Sequence, residues 1–487
     1  MHSGTMRRAG KGLWGTRRRR RIVGGATALT ATVALGAAAA GMTGLSSAAV
    51  GGAMVMEAPA AGTPTLPKTK TTDFIRDIVQ CGNTMYAVGT FTQIVWNGTT
   101  YPRNNVFSFS ATSPFTVSSW NPNANGTVNT IALSSDCSQA YLGGTFTQAG
   151  GGAATNIADV NTTTGALNTG FAHDADKAVQ TLALTNSGHL LAGGQFKSIN
   201  GSTANPYFAS LNPSTGADDG FLHLNIQGYY HWCSPTPPNQ CNLNFPTQVA
   251  NQQIDHHGDL DLAEGVFTTV GGVHRKQIFM LNLATNPATV TPWTSPEFDG
   301  STTTTTANNP PFECWYTESY YMRDAAWSPD DSTIYTAETG NHPWNLPAGT
   351  FPRSGLCDAV AAWPATQGTV SHTWINYSGC DSMFSIAADD SAVYSAGHPR
   401  WADNGAGCNF QGTGGIPDKG LWGLVPASGA LITNTNGNPR YSMSRANADT
   451  MLITSAGLWI GSSNRFGASW CDNINGHAGI CFLPYKA

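Results

Sequence analysis

The carboxylates with the most chemical promise in this chain are Glu264 and Glu338. Each follows an apolar, strand-like run and stands where other copies of an internal repeat carry Gly-Gly, at matching ends of adjacent units. Paired carboxyls at a suitable separation are the equipment of glycoside hydrolysis, one as acid and one as base or nucleophile. Asp324, in the same unit as Glu338, completes a candidate catalytic set. Two acids in a long chain meet this description easily, so a structural role fits them as well. Asp255-His256-His257-Gly258-Asp259 has the residue types of a metal site. It falls on a short hairpin turn, however, where Asp and Gly serve the backbone, and no metal centre is expected there. The chain has no Gly-x-Ser-x-Gly elbow, no His-Glu-x-x-His, no phosphate loop and no Gly-x-Gly-x-x-Gly opening a helix, so no cofactor is expected.

What must position these residues is a repeat. Seven times an apolar run leads through a polar turn into a second apolar run, often closing on Gly-Gly-x-Phe. Val128 to Phe146 and Val179 to Phe196 are the clearest copies. The others run from Ile75 to Phe91, Val249 to Phe267, Met322 to Gly340, Met383 to Gly397 and Ala448 to Gly461. In the second copy a third strand at Asn156 to Val160 and a short fourth near Ala166 follow. Four antiparallel strands in about 50 residues are the content of one propeller blade. The expected fold is therefore all-β, a seven-bladed β-propeller of four-stranded antiparallel blades over residues 73–487. The last unit lacks a fourth strand, and residues 50–72, otherwise a flexible lead-in, are expected to supply it and close the ring between the two termini.

Leu142-Gly143-Gly144-Thr145-Phe146-Thr147-Gln148, Leu191 to Gly201 and the turn Asn212-Pro213-Ser214-Thr215-Gly216 resemble the delta-60 type repeat of secreted bacterial β-propellers. The resemblance is good in the first four copies and fades in the last three. It implies the fold and carries no single activity.

Chain order puts the turns after strands one and three on one face, all short, and those after strands two and four on the other. The second set holds the long insertions, with Tyr229, Tyr230, Trp232, Trp315, Tyr316, Trp344, Trp401 and Trp470, and is the expected ligand-binding rim. One position near the start of strand one is polar in every copy: Asp77, Thr130, Thr181, Asn251, Asp324, Ser385 and Thr450. These form either a polar ring at the channel mouth or a set of hydrogen-bonding groups between blades. Arg76 beside Asp77, and Arg323 beside Asp324, read as ordinary surface pairs. Cys81 and Cys137 fall at equivalent turns of neighbouring copies, so a disulfide tying them is expected. Cys233 with Cys241, and Cys471 with Cys481, are two further candidate pairs, whereas the pairing of Cys314, Cys357, Cys380 and Cys408 stays open.

Residues 1–49 read as an export signal: Arg17 to Arg21 precede an Ala/Gly-rich apolar stretch ending in small residues, and the arginines suit the twin-arginine type. That makes the chain secreted, with cysteines as staples. A net charge of −5 with 11% charged residues gives no pull toward nucleic acid, and no membrane contact is expected beyond the leader. The function expected is a non-enzymatic, monomeric binding or scaffold protein whose rim takes a carbohydrate, cell-wall or protein ligand. The alternative is an extracellular polysaccharide hydrolase or lyase using the rim carboxylates.

Overall fold

The computed structural model describes residues 53–67, 73–232, 243–299, 321–340, 356–379, 381–407, 410–443, 448–464 and 478–486. By internal contacts the chain divides into Met1–Met42 and Thr43–Ala487, and every described residue belongs to the second unit. The apolar run opening each repeat becomes a strand: Phe74–Cys81, Val128–Leu133, Val179–Leu184, Gln248–Ile254, Tyr321–Trp327, Met383–Ala388 and Ala448–Thr454. Each pairs antiparallel with the second run of its own repeat, which pairs in turn with a third strand. Seven such sheets stand among the described residues. Their first strands touch in succession, and the seventh touches the first, so the ring is closed. The molecule is a seven-bladed β-propeller.

The seven core clusters lie between blades. Val88 and Val106 of blade 1 pack on Val128 and Leu142 of blade 2. Ile278 and Met280 of blade 4 pack on Ala325 and Trp363 of blade 5. Tyr394 of blade 6 packs on Leu458 of blade 7. Alternation along each strand makes this possible, because both faces of a blade meet a neighbour and the chain buries apolar residues on both. Much of the tryptophan serves this packing: Trp120, Trp293, Trp327, Trp363, Trp374, Trp422 and Trp459 are all buried.

Steric demands from two sides explain the Gly-Gly pair. A Cβ on Gly193 would lie 2.6 Å from Thr181 Cγ2 and 2.8 Å from Val249 Cγ1 of the next blade. One on Gly194 would lie 2.3 Å from the Ala178 carbonyl oxygen. The first glycine lets blades approach, and the second lets the strand pass its own partner's backbone.

The blades differ from the expected four full strands. Only blades 4 and 5 carry a regular fourth strand among the described residues, Thr289–Val290 and Trp374–Tyr377. Single bridges stand in its place elsewhere, as at Phe109 with Val117 and Val160 with Leu167. The outermost strand has one blade-side partner only, and a few residues of pairing suffice there. In blade 7 that place is taken by the lead-in, with Val55 bridging Tyr485. Met56 N and Ala60 N donate to the Pro484 and Phe482 carbonyls, each at 2.8 Å, and Val55 is fully buried. The connections between strands two and three also carry small hairpins that the repeat pattern did not announce, such as Gln93–Trp96 with Thr99–Pro102.

Candidate functional site

In each of the seven blades the pairing of strands one and two slips by one residue near the start of strand one. A bulge leaves one residue unpaired and re-aims its side chain. The residues set apart are Arg76, Asn129, Gln180, Ala250, Arg323, Phe384 and Asp449, and all seven line one axial cavity of about 460 Å³. Strand one starts on the long-loop face, so this ring stands at the channel mouth on that face. Six of the seven ring positions expected from the sequence, Asp77, Thr130, Thr181, Asn251, Asp324 and Thr450, line the same cavity, and the bulge residues beside them form a second ring that an apolar pattern does not mark. Its one signal was a polar or charged residue directly before each ring position in most copies.

The mouth has two dissimilar arcs. Blades 5, 6, 7 and 1 contribute Arg323, Phe384, Asp449 and Arg76. Arg323 lies 4.8 Å over the Phe384 ring, and Arg76 lies 4.9 Å over Phe74. Arg76 pairs with Asp449 across the last blade interface at 3.4 Å, not with its sequence neighbour Asp77. Burial raises the Asp449 carboxyl, and Arg76 and Arg323 oppose that rise. Blades 2, 3 and 4 contribute Asn129, Gln180 and Ala250, an uncharged arc. Asn129 Nδ2 donates to the Val179 carbonyl at 3.1 Å.

The expected polar ring sits one step deeper. Asp77 Oδ2 accepts from Ile131 N at 3.0 Å and from the Thr130 hydroxyl at 3.2 Å. Thr130 Oγ1 accepts from Leu182 N at 3.1 Å, and Asp324 Oδ2 from Ile386 N at 2.9 Å. In all three the side chain ties the same amide of the following blade. Asn251 Nδ2 instead donates to Asp324 Oδ1 at 2.6 Å. Thr181 and Thr450 also line the cavity, whereas Ser385 is fully buried with its hydroxyl unpartnered. Burial holds Asp77 and Asp324 up at about 6 and about 7, against the amides that favour their charged forms.

Glu264 and Glu338 come together, by a route the repeat alignment did not show. Glu264 pairs with Asn251, the first-glycine register, whereas Glu338 pairs with Met322, the second-glycine register. One residue apart in register, they point to opposite faces of their blades and so meet in the interface of blades 4 and 5. Glu264 is 2% exposed and Glu338 fully buried. Glu264 Oε2 accepts weakly from Asn251 Nδ2 at 3.4 Å, while its Oε1 and both Glu338 oxygens meet no hydrogen-bond partner. Burial pushes Glu338 to about 8. It pushes Glu264 well above the carboxylate range, helped by the Asp324 and Glu338 charges. Near neutral pH Glu338 is therefore largely protonated.

Of the rim aromatics, Tyr229 is exposed and Trp401 half-buried under the Arg400 guanidinium at 4.5 Å. Tyr230 and Trp232 sit on the strand Tyr230–Trp232, paired with Leu243–Phe245. Trp315, Trp344 and Trp470 lie outside the described residues, as do Cys233, Cys241, Cys314, Cys380, Cys408 and Cys471. Cys81 and Cys137 form a disulfide with Cα atoms 6.3 Å apart, and Cys357 and Cys481 are also disulfide-bonded. The Asp255 turn gains a residue from the next blade: both His256 and His257 donate or accept at Asp331.

Fold and site together define a β-propeller with a bulge-lined polar channel mouth. No protein-family model and no curated protein matches the chain. Among solved structures it is similar to the WD40 repeats of RRP9, at 11% identity and a TM-score of 0.47, over 88% of this chain and 99% of that one. It is similar also to U3-55K, at 11% identity and TM-score 0.46, over 88% and 99%. The WD40 β-propeller domain of Doa1 follows at 11% and 0.41, over 85% and 95%.

Proposed function

We propose that this chain is an exported binding protein that holds the end of an acidic carbohydrate, as found in cell-wall glycans, at the channel mouth on its long-loop face. The observation that carries this reading is the bulge ring. It offers two guanidinium groups, of which that of Arg76 is paired with Asp449, an aromatic ring and two amide side chains converging on one cavity of about 460 Å³, which Asp77 and Asp324 also line. Guanidinium groups bind carboxylates, amides bind hydroxyls, and a phenyl ring covers the apolar face of a sugar. The cavity lies in the range of small-ligand sites, enough for the end of a chain but not its length. Export is supported by the leader composition and by the disulfide chemistry of Cys81, Cys137, Cys357 and Cys481. The hydrolase reading is weakened by burial, since the carboxyl oxygens of Glu338 are shut off from solvent.

A glycan and cell-wall fragment array, read for retention and by mass spectrometry for products, tests this. Retention of an acidic glycan that Arg323→Gln and Phe384→Ala each abolish, with no product, supports it. Release of product that Glu338→Gln abolishes, or retention unaltered in both mouth variants, overturns it.

A further inference from the structure

On the short-turn face, blades 1 and 2 are fastened by Cys81–Cys137. Cys81 stands four residues after the ring residue Asp77, and Asp255 stands four after Asn251, so the two positions correspond. The turn Ser134-Ser135-Asp136-Cys137-Ser138 likewise corresponds to Ser328-Pro329-Asp330-Asp331-Ser332. In both turns the first aspartate is consumed within the turn, Asp136 Oδ1 accepting from Ser138 N at 3.0 Å and Asp330 Oδ1 from Ser332 N at 3.1 Å. In both, the next residue is left-handed, Cys137 at φ 60° and Asp331 at φ 56°, and reaches back to the preceding blade. Asp255 and Asp331 thus occupy, between blades 4 and 5, the places the two half-cystines occupy between blades 1 and 2.

Two carboxylates in those places repel each other unless something positive lies between them. Both are mostly buried, at 7% and, for the Asp331 side chain, 8% exposed. Asp255 Oδ1 accepts from Asp259 N at 2.8 Å and Leu260 N at 3.1 Å, which holds the carboxylate rigidly. His257 Nδ1 lies 2.5 Å from Asp331 Oδ2, and His256 Nδ1 lies 2.6 Å from Asp331 Oδ1. One donor atom each of Asp255, His257 and Asp331 falls within 4.8 Å of the others. Asn186 Nδ2 fixes the turn from the other side by donating to the His257 carbonyl at 3.0 Å.

We propose that Asp255, His257 and Asp331 bind a divalent first-row cation of the zinc type, which clasps blade 4 to blade 5 as the disulfide clasps blade 1 to blade 2. One imidazole and two carboxylates are a donor set that suits zinc, and three protein ligands leave a fourth position for water. His256, bonded to the second oxygen of Asp331, is the supporting partner that orients the ligand.

The test uses untagged full-length protein freed of metal with a chelator. Calorimetric titration with zinc chloride is expected to show one saturable equivalent, and cobalt(II) a ligand-field spectrum at the same stoichiometry. Zinc should also raise the thermal midpoint with its concentration. Asp331→Asn and His257→Gln should each weaken zinc by at least the ~10–100-fold that loss of a supporting partner costs. His257 is 70% exposed, so that variant keeps its fold if Asp331→Asn does not. Absence of a single saturable equivalent, or undiminished binding in His257→Gln, overturns the clasp.

Discussion

Replacing Glu338 with glutamine isolates the cost of a buried acid. Glu338 is fully buried in the blade 4/5 interface, and its carboxyl titrates at about 8 instead of 4.5. The native state therefore keeps a proton that the unfolded chain has already lost between those two pH values. Stability from this group is fully present below pH 4.5 and is lost as pH rises to about 8, flat beyond. At about 1.4 kcal/mol per pH unit the full loss is roughly 4–5 kcal/mol. Glutamine has nearly the same shape and does not titrate, so Glu338→Gln removes the slope. Urea unfolding, followed by tryptophan fluorescence in oxidising buffer, is the assay. Variant and parent should unfold at similar urea concentrations near pH 4.5. The variant should gain steadily above that, reaching its full advantage at about pH 9. Parallel midpoints across that range would falsify the assignment of a neutral, buried Glu338.

Two further outcomes follow from packing. Gly194→Ala forces a methyl group to 2.3 Å from the Ala178 carbonyl and should cost about 1–3 kcal/mol, read as a lower urea midpoint. An unchanged midpoint would remove the steric account of the second glycine. Deleting residues 53–67 strips Val55 and Leu66 from the core, at roughly 1.5–3 kcal/mol each, and bares the edge Ile480–Pro484. Size-exclusion chromatography should then show concentration-dependent association, whereas a monomer of parental stability would mean that the lead-in does not close the ring.

The modular part of this structure was legible in the chain because its determinants are local. Alternating apolar runs, polar turns closing on glycine such as Asn161 to Gly165 and Asn212 to Gly216, and paired glycines recur along the chain, and each acts within one or two blades. Cys81 and Cys137 were readable together for the same reason: equivalent turns of adjacent modules must face each other. What only the tertiary structure decided depends on register and on ring closure. A one-residue slip in strand one brought Arg76 and Arg323 to the mouth beside Asp77 and Asp324. A one-residue difference in pairing turned Glu264 and Glu338 toward each other instead of onto parallel faces. Closure brought Asp449 of blade 7 to Arg76 of blade 1, residues 373 apart that no local pattern links. Side-chain direction in a strand reverses with every residue, so a single bulge redirects chemistry while leaving the hydrophobic pattern that specifies the fold unchanged.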